Sequence, residues 1–318
     1  MEKIALITGI NGQDGSYLSE LLLDLDYKVY GIIRRSSQNN LDNLKHILNR
    51  INLLYGDLQD SESIKKIIIK VNPTEIYNLA AMSDVRISYD IPSSTMEINT
   101  IGYLKILEAV LTFNSDIKIY QACSSEMFGK VLETPQKETT PFYPRSPYGV
   151  SKAASFYIGR SYREAYGLNI YNGILFNHES PRRGEKFLSR KVVKAAVRIK
   201  LGLQDRLTLG NLNSSRDWGY AKEYVRWIHA IMQATPDDYI ICTGETHTVK
   251  EFVEETFSQL DMDWQEYVDY DDSLKRPAEV DLLLGDYSKS KKVLGFEPKV
   301  KFKELITIMI GEEIKNES

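Results

Sequence analysis

Four side chains define the chemistry open to this chain: Ser124, Glu126, Tyr148 and Lys152. Tyr148 and Lys152 stand four residues apart, so on a helix they share one face. An ammonium ~4 Å from a phenol, at an effective dielectric of ~20, favours the phenolate by ~4 kcal/mol before desolvation is counted. That corresponds to up to ~3 pK units and brings a phenol of ordinary pKa ~10 towards neutrality. Such a phenolate is a base for a sugar hydroxyl. The plain alternative is an amphipathic helix with one inward Tyr and one exposed Lys, and the surrounding sequence decides between them.

The elements that must carry these residues alternate in a β-α rhythm. Lys3 to Thr8 is a short apolar run of the kind that forms a buried parallel strand. Gly9, Gly12 and Gly15 follow, with Gln13 and Asp14 between the last two, and a helical pattern continues to Leu25. Glycines in a strand-to-helix turn let backbone N–H groups approach a pyrophosphate at a helix amino end. The spacing is G-x-x-G-x-x-G, and its place at the head of the alternation gives it meaning. A second strand, Lys28 to Ile33, ends in Arg34, Arg35 and Ser36. An acidic residue here would hold the ribose 2′-hydroxyl of NAD; paired arginines and a serine suit the 2′-phosphate of NADP. A solvated basic loop is the competing account.

Further units repeat the pattern. Ile51 to Tyr55 leads to Asp57 and Leu58, where the aspartate can reach an adenine edge. A helix from Ser61 to Lys70 returns the chain to a strand from Glu75 to Leu79. Ala80 and Ala81 then allow close backbone approach to a cofactor, with Ser83 just beyond. A long helix from about Pro92 to Phe113 precedes a strand from Lys118 to Ala122, so Ser124 and Glu126 lie past a strand's carboxyl end, where open α/β sheets place ligands. Ser146 and Pro147 form a fitting Ncap and N1 pair for the helix carrying Tyr148. Leu168 to Phe176 is expected to complete the parallel set. Beyond it the rhythm loosens, and helices are expected at Tyr220 to Ala234, Val249 to Leu260, Ser288 to Leu294 and Phe302 to Ile314. Arg183, Arg190, Lys191, Arg216 and Arg276 supply cations that a diphosphate requires, although any one of them alone reads as a solvated charge.

At 318 residues, 42% hydrophobic and 26% charged, the chain suits one large domain or two intimate ones. Its formal charge of −4 argues against a general nucleic-acid binder. No apolar run approaches a membrane span, the N-terminus enters a strand without signal-peptide regions, and Cys123 and Cys242 read as strand residues. We expect a cytoplasmic protein. The four histidines show no ligand spacing, and no metal site is expected.

Several stretches resemble the GDP-mannose 4,6-dehydratase family, within the extended short-chain dehydrogenases/reductases. They are Ala5-Leu-Ile-Thr-Gly-Ile-Asn-Gly-Gln-Asp-Gly-Ser-Tyr-Leu18, Gly31-Ile-Ile-Arg-Arg-Ser-Ser37, Pro135 to Tyr148, Gly173 to Gly184, Arg216-Asp-Trp-Gly219 and Arg276-Pro-Ala-Glu-Val280. The resemblance covers nearly the whole chain. It implies a Rossmann-like doubly wound parallel sheet over residues 1–175 that binds NADP. It also implies a smaller α/β lobe over residues 176–318 that mainly binds the GDP-sugar, some of its segments packing back on the first. It implies that Tyr148 is the base, that Lys152 holds the cofactor ribose, and that Glu126 works at C5 and C6 of the sugar. Ser124 stands where the family usually has threonine, near the C4 oxygen. His178 joins the cofactor set; Asn177, Arg183, Lys191, Arg216, Arg276 and Glu279 join Ser83 and Glu126 around the GDP-sugar.

The implied reaction is oxidation at C4, loss of water across C5 and C6, and return of the hydride to C6, with the cofactor kept. Ser125 bears on this: dTDP-glucose dehydratases carry Asp-Glu here and divide acid and base work, whereas here Glu126 is alone. Met82 and Asp84 replace the family's Gln and His beside the sugar pocket, so a GDP-heptose with an extra carbon on C6 is a second candidate substrate. A reductase or epimerase of the same fold needs no carboxylate at position 126. A non-catalytic NADP-binding sensor would have no use for all four residues. The family also implies a homo-tetramer or homo-dimer, the stretch from Arg34 to Asn40 matching a loop that reaches a neighbouring subunit.

Overall fold

The computed structural model describes residues 2–36, 40–274 and 277–317. In chain order the first half runs β1 (Ile4–Thr8), α1 (Gln13–Asp24), β2 (Lys28–Ile33), β3 (Asn52–Tyr55), α2 (Ser61–Val71) and β4 (Glu75–Asn78). It continues through α3 (Val85–Asp90), α4 (Pro92–Met96), α5 (Gly102–Phe113), β5 (Lys118–Ser124), α6 (Pro147–Tyr166) and β6 (Ile170–Leu175). The remainder holds β7 (Asn177–Glu179), α7 (Leu188–Lys200), β8 (Leu207–Leu209), β9 (Ser215–Arg216), β10 (Trp218–Tyr220), α8 (Ala221–Met232) and β11 (Asp238–Ile241). It ends with β12 (His247–Thr248), α9 (Val249–Ser258), β13 (Val268–Tyr270), α10 (Ser288–Leu294) and α11 (Phe302–Glu317).

Seven strands form one sheet in the order β11-β6-β5-β4-β1-β2-β3, every pairing parallel. The strands are apolar on both faces because helices cover both. On one face α1 and α8 bury Leu18, Leu22, Tyr224 and Ile228 against β1 and β2; on the other, α2 and α5 bury Ile64, Ile68, Ile106 and Val110. A separate cluster built from α7, α9 and α11, with Val193, Phe252 and Met309 at its centre, fills the second lobe.

Two features differ from expectation. The parallel set does not end with β6: Asp238–Ile241 adds a seventh strand beside it. The apolar run ending at Cys242 reads as a strand, although Cys242 itself falls just past it; only the uncovered edge of β6 gives the run its place in the parallel set. The helix Leu188–Lys200 is the second, unannounced because its first turn carries Ser189, Arg190 and Lys191 and lacks a side-chain cap. No helix among the described residues is long and apolar enough to cross a membrane.

The order of the sheet reverses between β1 and β4, and there the chain opens a crevice. Gly9, at φ +69°, lies so close to the next strand end that a Cβ would sit 2.9 Å from Ala80 N. A Cβ on Gly15 would sit 2.4 Å from the carbonyl oxygen of Gly9. Both positions therefore demand glycine: one for its backbone angle and crowding, the other for crowding alone.

Candidate active site

Helix α6 begins as its sequence dictates. Ser146 accepts a hydrogen bond from Gly149 N at 3.0 Å, Pro147 occupies N1, and Gly167 closes the helix at φ +67°. Tyr148 and Lys152 consequently stand one turn apart on the buried face. Opposite them, the end of β5 passes into a single 3-10 turn, Ser125–Met127, that carries Glu126. The turn and the helix touch through Gly149, where a Cβ would fall 2.7 Å from the carbonyl oxygen of Glu126. That close approach sets Tyr148 against Glu126.

Ser124 joins the two. Its hydroxyl accepts from Glu126 N at 3.2 Å, and it acts on the neighbouring phenol of Tyr148, tending to lower its pKa. Tyr148 is 9% exposed, Glu126 8% and Lys152 3%, so the group is nearly dry before any ligand binds.

The electrostatics differ from the sequence argument. The ammonium of Lys152 is engaged elsewhere: its Nζ donates to the carbonyl of Ala122 at 2.7 Å and lies 5.9 Å from the centre of the Tyr148 ring. Burial pushes Tyr148 up to about 12, the nearby charge of Glu126 adding to it and the Ser124 hydroxyl opposing it. Burial presses Lys152 down to about 8. Desolvation thus outweighs the attraction expected from the i, i+4 spacing, and in the protein alone Tyr148 is a phenol.

These residues open onto a cleft of about 1900 Å³ lined from both lobes. From the first come Gly9, Gly12, Gln13, Asp14, Gly15, Arg34, Ser36, Asp57, Leu58, Ala80, Ala81 and Ser83, and from the second Asn177, His178, Arg183, Lys191 and Arg216. Met82 and Asp84 also line it. Arg35 and Glu279 lie outside this lining, and Arg276 falls outside the described residues.

Several side chains expected to meet a ligand directly are engaged within the protein. Asp57 Oδ1 accepts from Gln59 N at 3.0 Å, shaping the turn after β3. Arg183 stacks on Phe187 at 3.9 Å and pairs with Glu179 at 3.2 Å. Lys191 donates to the carbonyl of Thr208 at 2.7 Å, and its half-burial lowers its pKa. Arg190 forms a buried ion pair with Glu313 of α11. Arg216 donates to the carbonyls of Val280 at 2.8 Å and Ser215 at 2.9 Å, and reaches to 3.9 Å from Glu126.

Sequence reasoning passed over other contributors. Asp217, next to Arg216, is fully buried and gathers Thr243 N, Thr243 Oγ1 and Gly244 N at 2.7–2.9 Å, tying the Arg216 strand to the loop after β11. Burial pushes its pKa up to about 6 despite those donors. Glu312, Glu313, Asn316 and Glu317 bring the C-terminal helix to the cleft wall. Asp217 lies within the Arg216-Asp-Trp-Gly219 stretch, but its role, like those of the C-terminal helix residues, depends on partners far away in sequence.

A glycine turn at the sheet's reversal point is thus in place, with buried Glu126, Tyr148 and Lys152 and half-buried Ser124 beside the adjacent strand ends. The chain matches the family described as GDP-mannose 4,6 dehydratase over residues 6–309. It belongs to that family. Among relatives in the GDP-mannose 4,6 dehydratase family, GDP-mannose 4,6 dehydratase 1 of Arabidopsis thaliana is 50% identical over 327 aligned positions, covering 98% of this chain and 90% of its own. The GDP-mannose 4,6 dehydratase of Homo sapiens is 45% identical over 340 positions, covering 98% and 91%. Among solved structures, UDP-glucose 4-epimerase of Thermus thermophilus, a complex with NAD, superposes with a TM-score of 0.86 at 25% identity over 98% of both chains. The dTDP-glucose 4,6-dehydratase of Bacillus anthracis superposes with 0.87 at 24% identity over 99% and 97%, and shares the fold.

Proposed function

We propose that this chain is a GDP-sugar 4,6-dehydratase that converts GDP-mannose to GDP-4-keto-6-deoxymannose with a bound nicotinamide cofactor. The observation that carries the reading is the placement of one carboxylate, Glu126, beside the Ser124 and Tyr148 hydroxyls in a buried site, within a chain matched along its length by GDP-mannose dehydratases.

The residues fit a dinucleotide. The glycine turn leaves no room for a Cβ, the amino end of α1 faces the crevice, and Arg34 and Ser36 line the far end where a 2′-phosphate would sit. This supports NADP over NAD. When bound, an oxidised nicotinamide ring supplies the hydride acceptor and a positive charge that favours the phenolate of Tyr148. Tyr148 then takes the proton of the C4 hydroxyl, and Ser124 hydrogen-bonds the C4 oxygen. Once C4 is a ketone the C5 proton is acidic; Glu126 removes it and returns a proton to the departing C6 hydroxyl, so one carboxylate serves as base and then acid. The group's burial excludes bulk water from these transfers.

In our reading residues 1–175 bind the cofactor and residues 176–318 mainly the GDP-sugar, with β11 returning to the first sheet. Exposed Val150 and Tyr157, seven residues apart on α6, support a homo-tetramer or homo-dimer, which a monomeric mass by light scattering would refute. Two buried, unbridged cysteines suit a cytoplasmic setting.

A second substrate, a GDP-heptose, is favoured by Met82 and Asp84, both on the cleft wall. Asp84 there caps α3 by accepting from Ile87 N at 3.0 Å. Incubation with GDP-mannose and, separately, GDP-heptose, followed by mass spectrometry, tests the reading. Loss of one water from either sugar is expected, and loss from neither overturns it.

A further inference from the structure

Asp14 poses an electrostatic problem. It lies in the first turn of α1, the helix whose amino end faces the glycine turn, and it lines the cleft. A carboxylate there opposes the positive helix end that a pyrophosphate needs.

The answer stands across the crevice. His178, in β7, has both ring nitrogens occupied: Nδ1 lies 2.8 Å from the carbonyl oxygen of Phe176, and Nε2 lies 2.8 Å from Oδ2 of Asp14. A carbonyl oxygen only accepts, and so does an ionised carboxylate, whereas a neutral imidazole has one donor and one acceptor. Both bonds form at once only if both nitrogens carry protons. The carboxylate is the favoured state of Asp14 because His178, Arg183 and Gln13 gather cationic and donor groups around it, among them Gln13 Nε2 at 3.1 Å from its other oxygen. The same turn is held by Gln13, which donates to the carbonyl of His178 at 3.1 Å and accepts from Ser180 Oγ at 2.8 Å.

We propose that Asp14 and His178 form a buried carboxylate–imidazolium pair. It cancels a negative charge beside the phosphate-binding turn and locks that turn to the strand end of the second lobe. Asp14 is in this sense a positioning residue, and the proposal's functional half rests on the dinucleotide reading given above.

The surroundings agree. Burial presses His178 down, yet the charge and hydrogen bond of Asp14 outweigh it and its pKa stands above the ordinary value. Burial raises Asp14, and His178, Arg183 and Gln13 together bring it below the ordinary carboxylate. The groups facing the pair are Arg183 from the turn after β7, Tyr224 of α8 stacked on the ring at 4.9 Å, Lys152 of α6 and Tyr120 of β5. Because the imidazolium's pKa is raised, its contribution is fully present below the ordinary histidine value and is lost as pH rises through the raised one.

Two measurements decide the matter. Nitrogen NMR of histidine-labelled protein, with His178 assigned through His178→Gln, is expected to show both ring nitrogens protonated at pH 7. In Asp14→Asn one of them should lose its proton at the same pH. An unprotonated nitrogen in the wild type at pH 7 overturns the pair. NADPH titrations from pH 7 to 10 are then expected to show the wild type losing affinity relative to Asp14→Asn, by up to about tenfold per pH unit above the pKa of His178. Because the charge of Asp14 also raises the Lys152 pKa, the same two titrations are repeated in a Lys152→Met background, where that contribution is absent. Parallel profiles overturn the charge-cancelling role. Failure of NADPH to bind at any pH would instead overturn the cofactor reading, while the nitrogen spectrum still decides the pair.

Discussion

The guanidinium of Arg216 stands 3.9 Å from the carboxylate of Glu126, and each residue is less than a tenth exposed. Two backbone carbonyls fix that guanidinium, so it cannot turn away from the carboxylate without leaving them unpaired. Glu126 is thereby aimed from one side by Arg216 and from the other by the Ser124 turn.

Removing Arg216 therefore affects stability as well as turnover. Arg216→Met leaves a buried carboxylate without its cation and should destabilise the fold by about 3 kcal/mol. Arg216→Met with Glu126→Gln should cost less than the sum of the single changes, by about 0.5–3 kcal/mol. Urea denaturation of the four proteins gives the cycle, and strict additivity would refute the coupling.

Lys152 is predicted to oppose stability while serving function. Its ammonium, 3% exposed, is held near pKa 8 by burial, so between about pH 8 and 10.5 the unfolded chain binds more protons than the folded one. Stability contributed at this site accordingly rises with pH through that window. Lys152→Met should be the more stable protein at pH 7, by at most about 3 kcal/mol less the hydrogen bond to Ala122. The gap should close as pH approaches 10, and activity should fall throughout. A gap that widens with pH contradicts the burial argument.

Arg34 and Arg35 should separate. Arg34 lines the cleft and Arg35 does not, although both are exposed. A charge-assisted contact of about 1.5–3 kcal/mol makes Arg34→Ala lose at least about tenfold in NADPH affinity while NADH binding barely changes. Arg35→Ala should leave the ratio of the two within about twofold, since surface charges contribute little. Equal effects of the two substitutions in fluorescence titrations would remove Arg34 from the phosphate site.

Glu126 and Tyr148 should block different steps. Glu126→Gln keeps the shape but removes the base, so oxidation at C4 can persist while water loss stops. Tyr148→Phe should stop the earlier step and leave the cofactor oxidised. In deuterated water the wild-type product should carry solvent deuterium at C5, and deuterium placed at C4 of the substrate should appear at C6. Release of the 4-keto-6-deoxy sugar by Glu126→Gln at near wild-type rate would assign the elimination to another group.

Much of this protein is legible in its residues because the signals are local. The apolar runs and the glycines after β1 announce the sheet, and Ser146 with Pro147 announces the start of α6. Spacing alone places Tyr148 and Lys152 on one face, and the motifs around them name the family.

What tertiary structure decided is the state of those groups. A spacing of four residues states that two side chains are neighbours, yet solvent exclusion and a competing carbonyl set their charges. Lys152 therefore turned to Ala122, and Tyr148 remained a phenol. The run from Asp238 to Ile241 has its place as the seventh strand because the edge of β6 was open to it. Arg216 beside Glu126 and His178 beside Asp14 join residues 90 and 164 positions apart. No local pattern encodes such pairs, because their energy depends on the burial that only the folded chain provides.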